Sequence, residues 1–277
     1  MKVQGENNEI SKLSPKIAAI SLHFLTAIFI TLVLIIFAGF REIGFDPDSP
    51  TYASIIQNIE FSNYIYFNFA NMEPSFYFIT YISHWLFNDV VRGTLLIYAI
   101  LGVTLKIAGI YRLSHIPVLS IVFYLCYYYP LHELTQIRVG VASAIFLIAI
   151  PDIAGHNCRA YFIKTLLAIL FHYQAVIMIP LYLILNAKLG KWFYFIIPII
   201  GLFFYLINQS ILNFILANIA VLNLFPSFLS YKIIFHIDLL QKGLFDYINV
   251  FNLYYLSALG LYYFCIININ RFKFNID

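Results

Sequence analysis

The strongest constraint on this chain is its succession of long apolar segments. The first runs from Ile17 to Gly39 without an Asp, Glu, Lys or Arg. An α-helix needs ~20 apolar residues to cross a bilayer. The segment is too long for a signal-peptide core and no small-residue cleavage site follows it, so it reads as a retained span. Composition agrees, at 62% hydrophobic and 10% charged, against roughly 25% charged in soluble domains. That balance excludes a soluble enzyme, a disordered chain and a nucleic-acid binder working through a basic surface. Cys126, Cys158 and Cys265 lie scattered in or beside apolar segments with no CxxC spacing. They argue against a disulfide framework or a metal cluster.

The apolar pattern predicts an all-α polytopic membrane protein of about eight transmembrane helices, with 1–277 as one integral membrane domain. Span one is 17–39, residues 40–89 form a large outer stretch, and spans two to seven lie within 90–225. A second outer stretch, 226–249, precedes the last span at 250–269. Within 90–225 the expected spans are Val90–Ile110, Ile116–Tyr129, Leu134–Ile150, Tyr161–Leu185, Trp192–Ile207 and Ile211–Phe225. A break at Phe171-His172-Tyr173 would alter the later orientation. The apolar run from Pro74 to Phe87 is too short to span and reads as a re-entrant or interfacial helix. Thr80, Ser83 and His84 would give that helix one wet face. Lys2, Lys12 and Lys16 precede span one and place the N-terminus in the cytoplasm, where Arg271 and Lys273 also place the C-terminus. Nine of the thirteen acidic residues then fall outside, which marks the outer face as a working surface.

Four constellations carry candidate chemistry. In the turn-rich loop from Arg41 to Tyr52, Asp46 and Asp48 suit a general base or a divalent cation, and equally a solvated loop with an Asx turn. The second constellation runs from His132 through Gln136 to Arg138 and on to Ala144. Arg138 lies about one turn inside an apolar span, where a charge costs ~2.5–3.5 kcal/mol at mid-bilayer. It therefore faces a cavity or an ionic partner, with Glu133 as the nearby structural alternative. A guanidinium forks onto phosphate and keeps its proton. The third is Phe171-His172-Tyr173-Gln174, an intramembrane histidine in an apolar run, which suits a site and equally a lone histidine hydrogen-bonded to a neighbouring helix. The fourth is Tyr231 to Asp238, where Lys232 offers a cation or sits in a solvated loop. Phosphate-cradling, dinucleotide, metalloprotease and nucleophile-elbow motifs are absent from the sequence.

The order of these pieces carries a resemblance. Arg41, Asp46, Asp48 and Tyr52 close the first span, and Glu73-Pro74-Ser75-Phe76-Tyr77 opens a short helix. Gln136-Ile137-Arg138-Val139-Gly140-Val141-Ala142 then follows an aromatic run, and Phe171-His172-Tyr173 opens a half-span. Together they resemble the EpsG-like, Wzy-type polysaccharide polymerases of bacteria, over about 60% of the chain, Ile17 to Leu185. The resemblance implies a GT-C-like membrane glycosyltransferase whose first outer loop carries juxtamembrane helices. It implies a multi-pass protein of the bacterial inner membrane, with undecaprenyl-pyrophosphate-linked oligosaccharide as donor and acceptor. Arg41 and Arg138 match the family's basic positions and His172 its half-span histidine, while Val139 stands where the family has glutamine.

On this reading Arg138 and Arg41 hold the pyrophosphate and Asp48 or Asp46 takes the hydroxyl proton. Tyr52, Glu73, His132, Gln136, Tyr173 and Lys232 complete the substrate contacts. No cofactor is expected, because arginines supply the positive charge, although Asp46 and Asp48 leave a divalent ion open. Partners are the bilayer, the lipid-linked substrate, a flippase and a chain-length regulator, with no nucleic acid. A lipid-linked sugar flippase and a glycan ligase are the alternative functions.

Overall fold

A computed structural model describes residues 25–59, 72–187, 189–217, 230, 233–234 and 251–268. Among them every regular element is helical. The order is α1 (Leu25–Gly39), then α2 (Ser49–Gln57), α3 (Pro74–Leu86), α4 (Val90–Leu113) and α5 (Pro117–Phe123). A π-helical segment, Tyr124–Thr135, continues α5 and is followed by α6 (Ile137–Ala154) and α7 (Cys158–Phe171). A 3-10 turn, Tyr173–Ile177, leads to α8 (Met178–Asn186), α9 (Lys191–Ala217) and α10 (Leu253–Ile267). The chain divides into two compact units, with the boundary at Ile179–Pro180 inside α8.

Two helices, α4 and α6, are long and apolar enough to cross a membrane, and α1, α9 and α10 contribute shorter apolar stretches. In the first unit α6 packs along both α4 and α7, and α3 lies against α4. Leu34 and Ala38 of α1, Ala99, Val103 and Ile107 of α4, and Tyr124 and Tyr129 of the π segment share one apolar core. Tyr129 also donates its hydroxyl to the Leu34 carbonyl at 2.6 Å, tying the π segment to α1.

Several boundaries differ from the sequence expectation, each for a local reason. Span three does not stop at Tyr129; it winds on to Thr135 with Pro130 inside. Proline has no N–H to give an α-helical bond, and the segment takes i→i+5 spacing instead. Three of its buried residues, Tyr124, Tyr129 and Leu134, follow that five-residue repeat, with Glu133 buried beside Leu134. The chain breaks at the exposed Gln136 (φ −91°, ψ 60°) before α6 begins. The Tyr161–Leu185 segment is interrupted at His172, whose backbone is extended (φ −154°, ψ 118°). Expected span six and the first residues of expected span seven, up to Ala217, form one continuous helix, α9; residues 218–225 lie outside the described residues. Asn208-Gln209-Ser210 is polar, but none of the three is a strong helix breaker. Of the α3 residues expected to be wet, His84 is exposed while Thr80 and Ser83 are turned inward and fully buried. Ser83 satisfies its hydroxyl on the Val90 carbonyl at 2.9 Å. In the second unit, Tyr262 and Tyr263 of α10 donate to the Tyr194 and Phe195 carbonyls of α9, at 2.8 and 3.1 Å.

Candidate functional site

The centre of the first unit is built by three chain interruptions that converge. Glu73 is the extended residue before α3, with Pro74 starting the helix behind it. Arg138 stands on the first turn of α6, just after the Gln136 break. His172 and Tyr173 occupy the break between α7 and the 3-10 turn. Arg138 Nη1 donates to Glu73 Oε2 in a close ion pair. His172 Nδ1 lies 3.2 Å from Glu73 Oε1, at ion-pair distance but off the direction of a hydrogen bond. The Tyr173 N–H points to the same oxygen at 3.4 Å, a long contact.

Glu73 has a side-chain exposure of only 2%, while Arg138 keeps 20%. Burial alone would push the Glu73 carboxyl up. The His172 ring and the Arg138 guanidinium outweigh it and hold the group down at about 2. The Arg138 guanidinium also sits over the Tyr52 ring, 5.7 Å from its centroid. Its Nε is buried and has no protein partner. Tyr52 belongs to α2, and its ring leans on Phe76 of α3, which leans on Tyr98 of α4, which meets Phe171 of α7 edge-on. Tyr98 and Phe76 are fully buried, so this aromatic chain fixes four helices around the arginine.

The other acidic loop is a different construction. Asp46 Oδ1 accepts from the Asp48 and Ser49 N–H groups at 3.0 and 2.9 Å, forming an Asx turn. Its Oδ2 takes Arg41 Nε at 2.8 Å, and Arg41 Nη1 donates to the Ala38 carbonyl at 2.6 Å. Both side chains are buried, and Arg41 Nη2 has no partner. Asp48 is half-buried. Burial, then the neighbouring Asp46, push its carboxyl above the ordinary 3.8, with Arg138 pulling the other way. Its carboxylate therefore lies within electrostatic reach of the Arg138 centre.

The structure thus brings together Asp48, Tyr52, Glu73, Arg138, His172 and Tyr173. Arg41 and Asp46 anchor the loop that presents Asp48. His132 belongs to a separate group, its Nδ1 3.2 Å from Ser143 Oγ. Gln136 is exposed at the helix break. Lys232 lies outside the described residues. The partner of Arg138 is Glu73 of the 40–89 stretch; no ion pair joins it to Glu133. Tyr98 and Ser75, whose hydroxyls are 3.3 Å apart beside the centre, carried no pattern in the sequence. Lys106 is buried in α4. A lysine inside an apolar run is the same signal that singled out Arg138.

These features define an α-helical membrane protein with a buried cationic centre at the meeting of helix breaks. The EpsG family matches residues 24–276, and the chain belongs to that family. Membership links it to polysaccharide biosynthesis in a membrane setting, with a glycosyltransferase-like polymerase role and a lipid-linked sugar as the substrate type. No curated protein and no solved structure matches the chain significantly.

Proposed function

We propose that this protein polymerises undecaprenyl-pyrophosphate-linked oligosaccharide repeat units into a surface polysaccharide, at the outer face of the bacterial inner membrane. Its about eight spans form one GT-C-like membrane domain with both termini cytoplasmic, working beside a flippase and a chain-length regulator. The observation that carries this reading is Arg138, half-buried at the first turn of a candidate span, held by Glu73 and Tyr52, with its Nε unpartnered. A guanidinium so placed is suited to an anionic leaving group.

The acceptor hydroxyl oxygen attacks the anomeric carbon of the donor sugar. The bond from that carbon to the pyrophosphate oxygen breaks, with inversion. The hydroxyl proton passes to Asp48, whose raised pKa favours its taking a proton. The undecaprenyl pyrophosphate leaves with the bonding electron pair, and Arg138 stabilises the charge that develops on it. Arg41 and Asp46 hold the Asp48 loop, and Arg41 Nη2 is a further donor toward phosphate. Glu73 orients Arg138 and His172, while Tyr52 and Tyr173 face the sugars, with Gln136 and His132 further out along the substrate.

The test is the glycan phenotype of a deletion strain. Loss of polymerase leaves single repeat units exported on their lipid. Units trapped inside would indicate a flippase, and full-length polymer retained on lipid would indicate a ligase.

A further inference from the structure

On the α4 side of α6 lies a second buried polar group that the reaction above does not use. Glu133, from the π segment, is 2% exposed. One of its oxygens, Oε1, has no hydrogen-bond partner. The other, Oε2, is seated against two glycines from two helices. A Cβ at Gly102 of α4 would collide with Oε2, and all three nearest atoms there belong to Glu133. A Cβ at Gly140 of α6 would stand 3.0 Å from Oε2 and 2.8 Å from the His132 carbonyl. Lys106, 7% exposed, acts electrostatically on Glu133 from α4. Its ammonium donates to Ser143 Oγ at 2.6 Å, and Ser143 in turn donates to the Gly140 carbonyl at 2.9 Å. The Tyr124 hydroxyl is the other polar group facing the carboxylate.

The position of Gly140 connects this group to the site. It stands two residues after Arg138 on the same first turn of α6, and its N–H closes that turn on the Gln136 carbonyl at 2.9 Å. The helix start that carries Arg138 therefore rests on the Glu133 carboxylate, and that carboxylate rests on α4 through Gly102. We propose that Glu133 is a positioning residue: its carboxylate, wedged between Gly102 and Gly140 and balanced by Lys106, sets the first turn of α6 and with it the aim of the Arg138 guanidinium. This inference rests on the role given to Arg138 above.

The cleanest probe is Gly102→Ala, because its added methyl meets Glu133 alone and lies on a different helix from Arg138. Turnover per folded molecule is measured on the purified full chain in nanodiscs, using lipid-linked repeat units extracted from the deletion strain. The expected loss is about 10- to 100-fold, the scale of an ångström-sized misplacement of a reacting group. Adding Glu133→Asp, one methylene shorter, makes room for the methyl and restores most of the turnover. A purely structural lesion in α4 has no reason to be rescued from the π segment. Wild-type turnover in Gly102→Ala, or a loss that Glu133→Asp leaves unrepaired, overturns the proposal. Should Gly102→Ala fail to fold, Glu133→Gln is compared with Glu133→Gln plus Lys106→Met. The single change is expected to lose about 10-fold and the pair to recover; an unchanged single or an unrecovered pair overturns it. Arg138→Lys in the same assay separates the two readings: if that variant keeps wild-type turnover, the role of Arg138 has failed, whatever Glu133 does.

Discussion

Two buried arginine–carboxylate pairs stand in the first unit, and they are built in opposite ways. Arg41 and Asp46 are five residues apart, and the pair closes a local loop. Both Asp46 oxygens are engaged, one by Arg41 and the other by two backbone N–H groups. Arg138 and Glu73 are 65 residues apart, and they join α6 to the start of α3 across a helix break. Each pair leaves one guanidinium nitrogen without a partner, Nη2 of Arg41 and Nε of Arg138, but at Arg138 an aromatic ring also lies under the cation and a histidine shares the carboxylate. A carboxylate saturated by local bonds stabilises its own turn. A long-range pair whose carboxylate is shared with a histidine is suited to exchange a protein partner for a ligand. On the function proposed above, the first pair is read as holding its loop and the second as meeting the substrate.

Arg138→Lys is the largest way to break this comparison. It keeps the charge and loses the fork, and turnover is expected to fall by about 10²–10³, as for loss of an oxyanion-type donor. Quantifying the polysaccharide ladder against folded protein in membranes checks it. Glu73→Gln comes next, because it leaves Arg138 buried without a counter-charge. Breaking a fully buried pair costs about 3–5 kcal/mol, and the 20% exposure of Arg138 places this case below that range. Detergent unfolding midpoints and turnover should both drop, with activity the more affected. Asp46→Ala should reverse that ratio. It strips the Asx turn and the Arg41 pair, so stability falls while turnover per folded molecule drops less than about 10-fold. A larger loss of turnover than of stability would mean that Asp46 acts in the reaction.

A pH profile sharpens the contrast within the site. The Glu73 carboxyl is depressed, so its contribution to stability is present above the ordinary 4.5 and is lost only as pH falls through about 2. The Asp48 carboxyl is raised, so it takes up its proton earlier on acidification, above 3.8. Turnover should therefore decline with falling pH well before the fold loosens. Coincident decline of turnover and stability would contradict that order. Tyr52→Phe is the smallest expected effect, about 2- to 5-fold, because the ring beneath Arg138 remains and only the hydroxyl is lost.

How much of this was legible in the sequence differs by element. The apolar runs gave α4 and α6 close to their observed extents, because hydrophobic length is written residue by residue. Arg138 stood out because a charge in an apolar run is costly and calls for a cavity or an ionic partner. Its partner did not: nothing local in the sequence pairs position 138 with Glu73, since their meeting depends on how α3 packs against α4 and α7. The π winding of 124–135 was hidden as well, because i→i+5 bonding has no propensity signature beyond a proline inside an apolar stretch. Asp46 and Asp48 looked equivalent as sequence. Only the backbone N–H groups that turn toward Asp46 separate the occupied carboxylate from its freer neighbour.

The most direct test of the central claim is polymer formation by the purified protein in nanodiscs, supplied with lipid-linked repeat units alone. Wild-type protein should extend them into a ladder and release the lipid pyrophosphate, and Arg138→Lys, folded to the same midpoint, should yield only single units. A wild-type ladder from Arg138→Lys, or no ladder from the wild-type protein, would contradict the account.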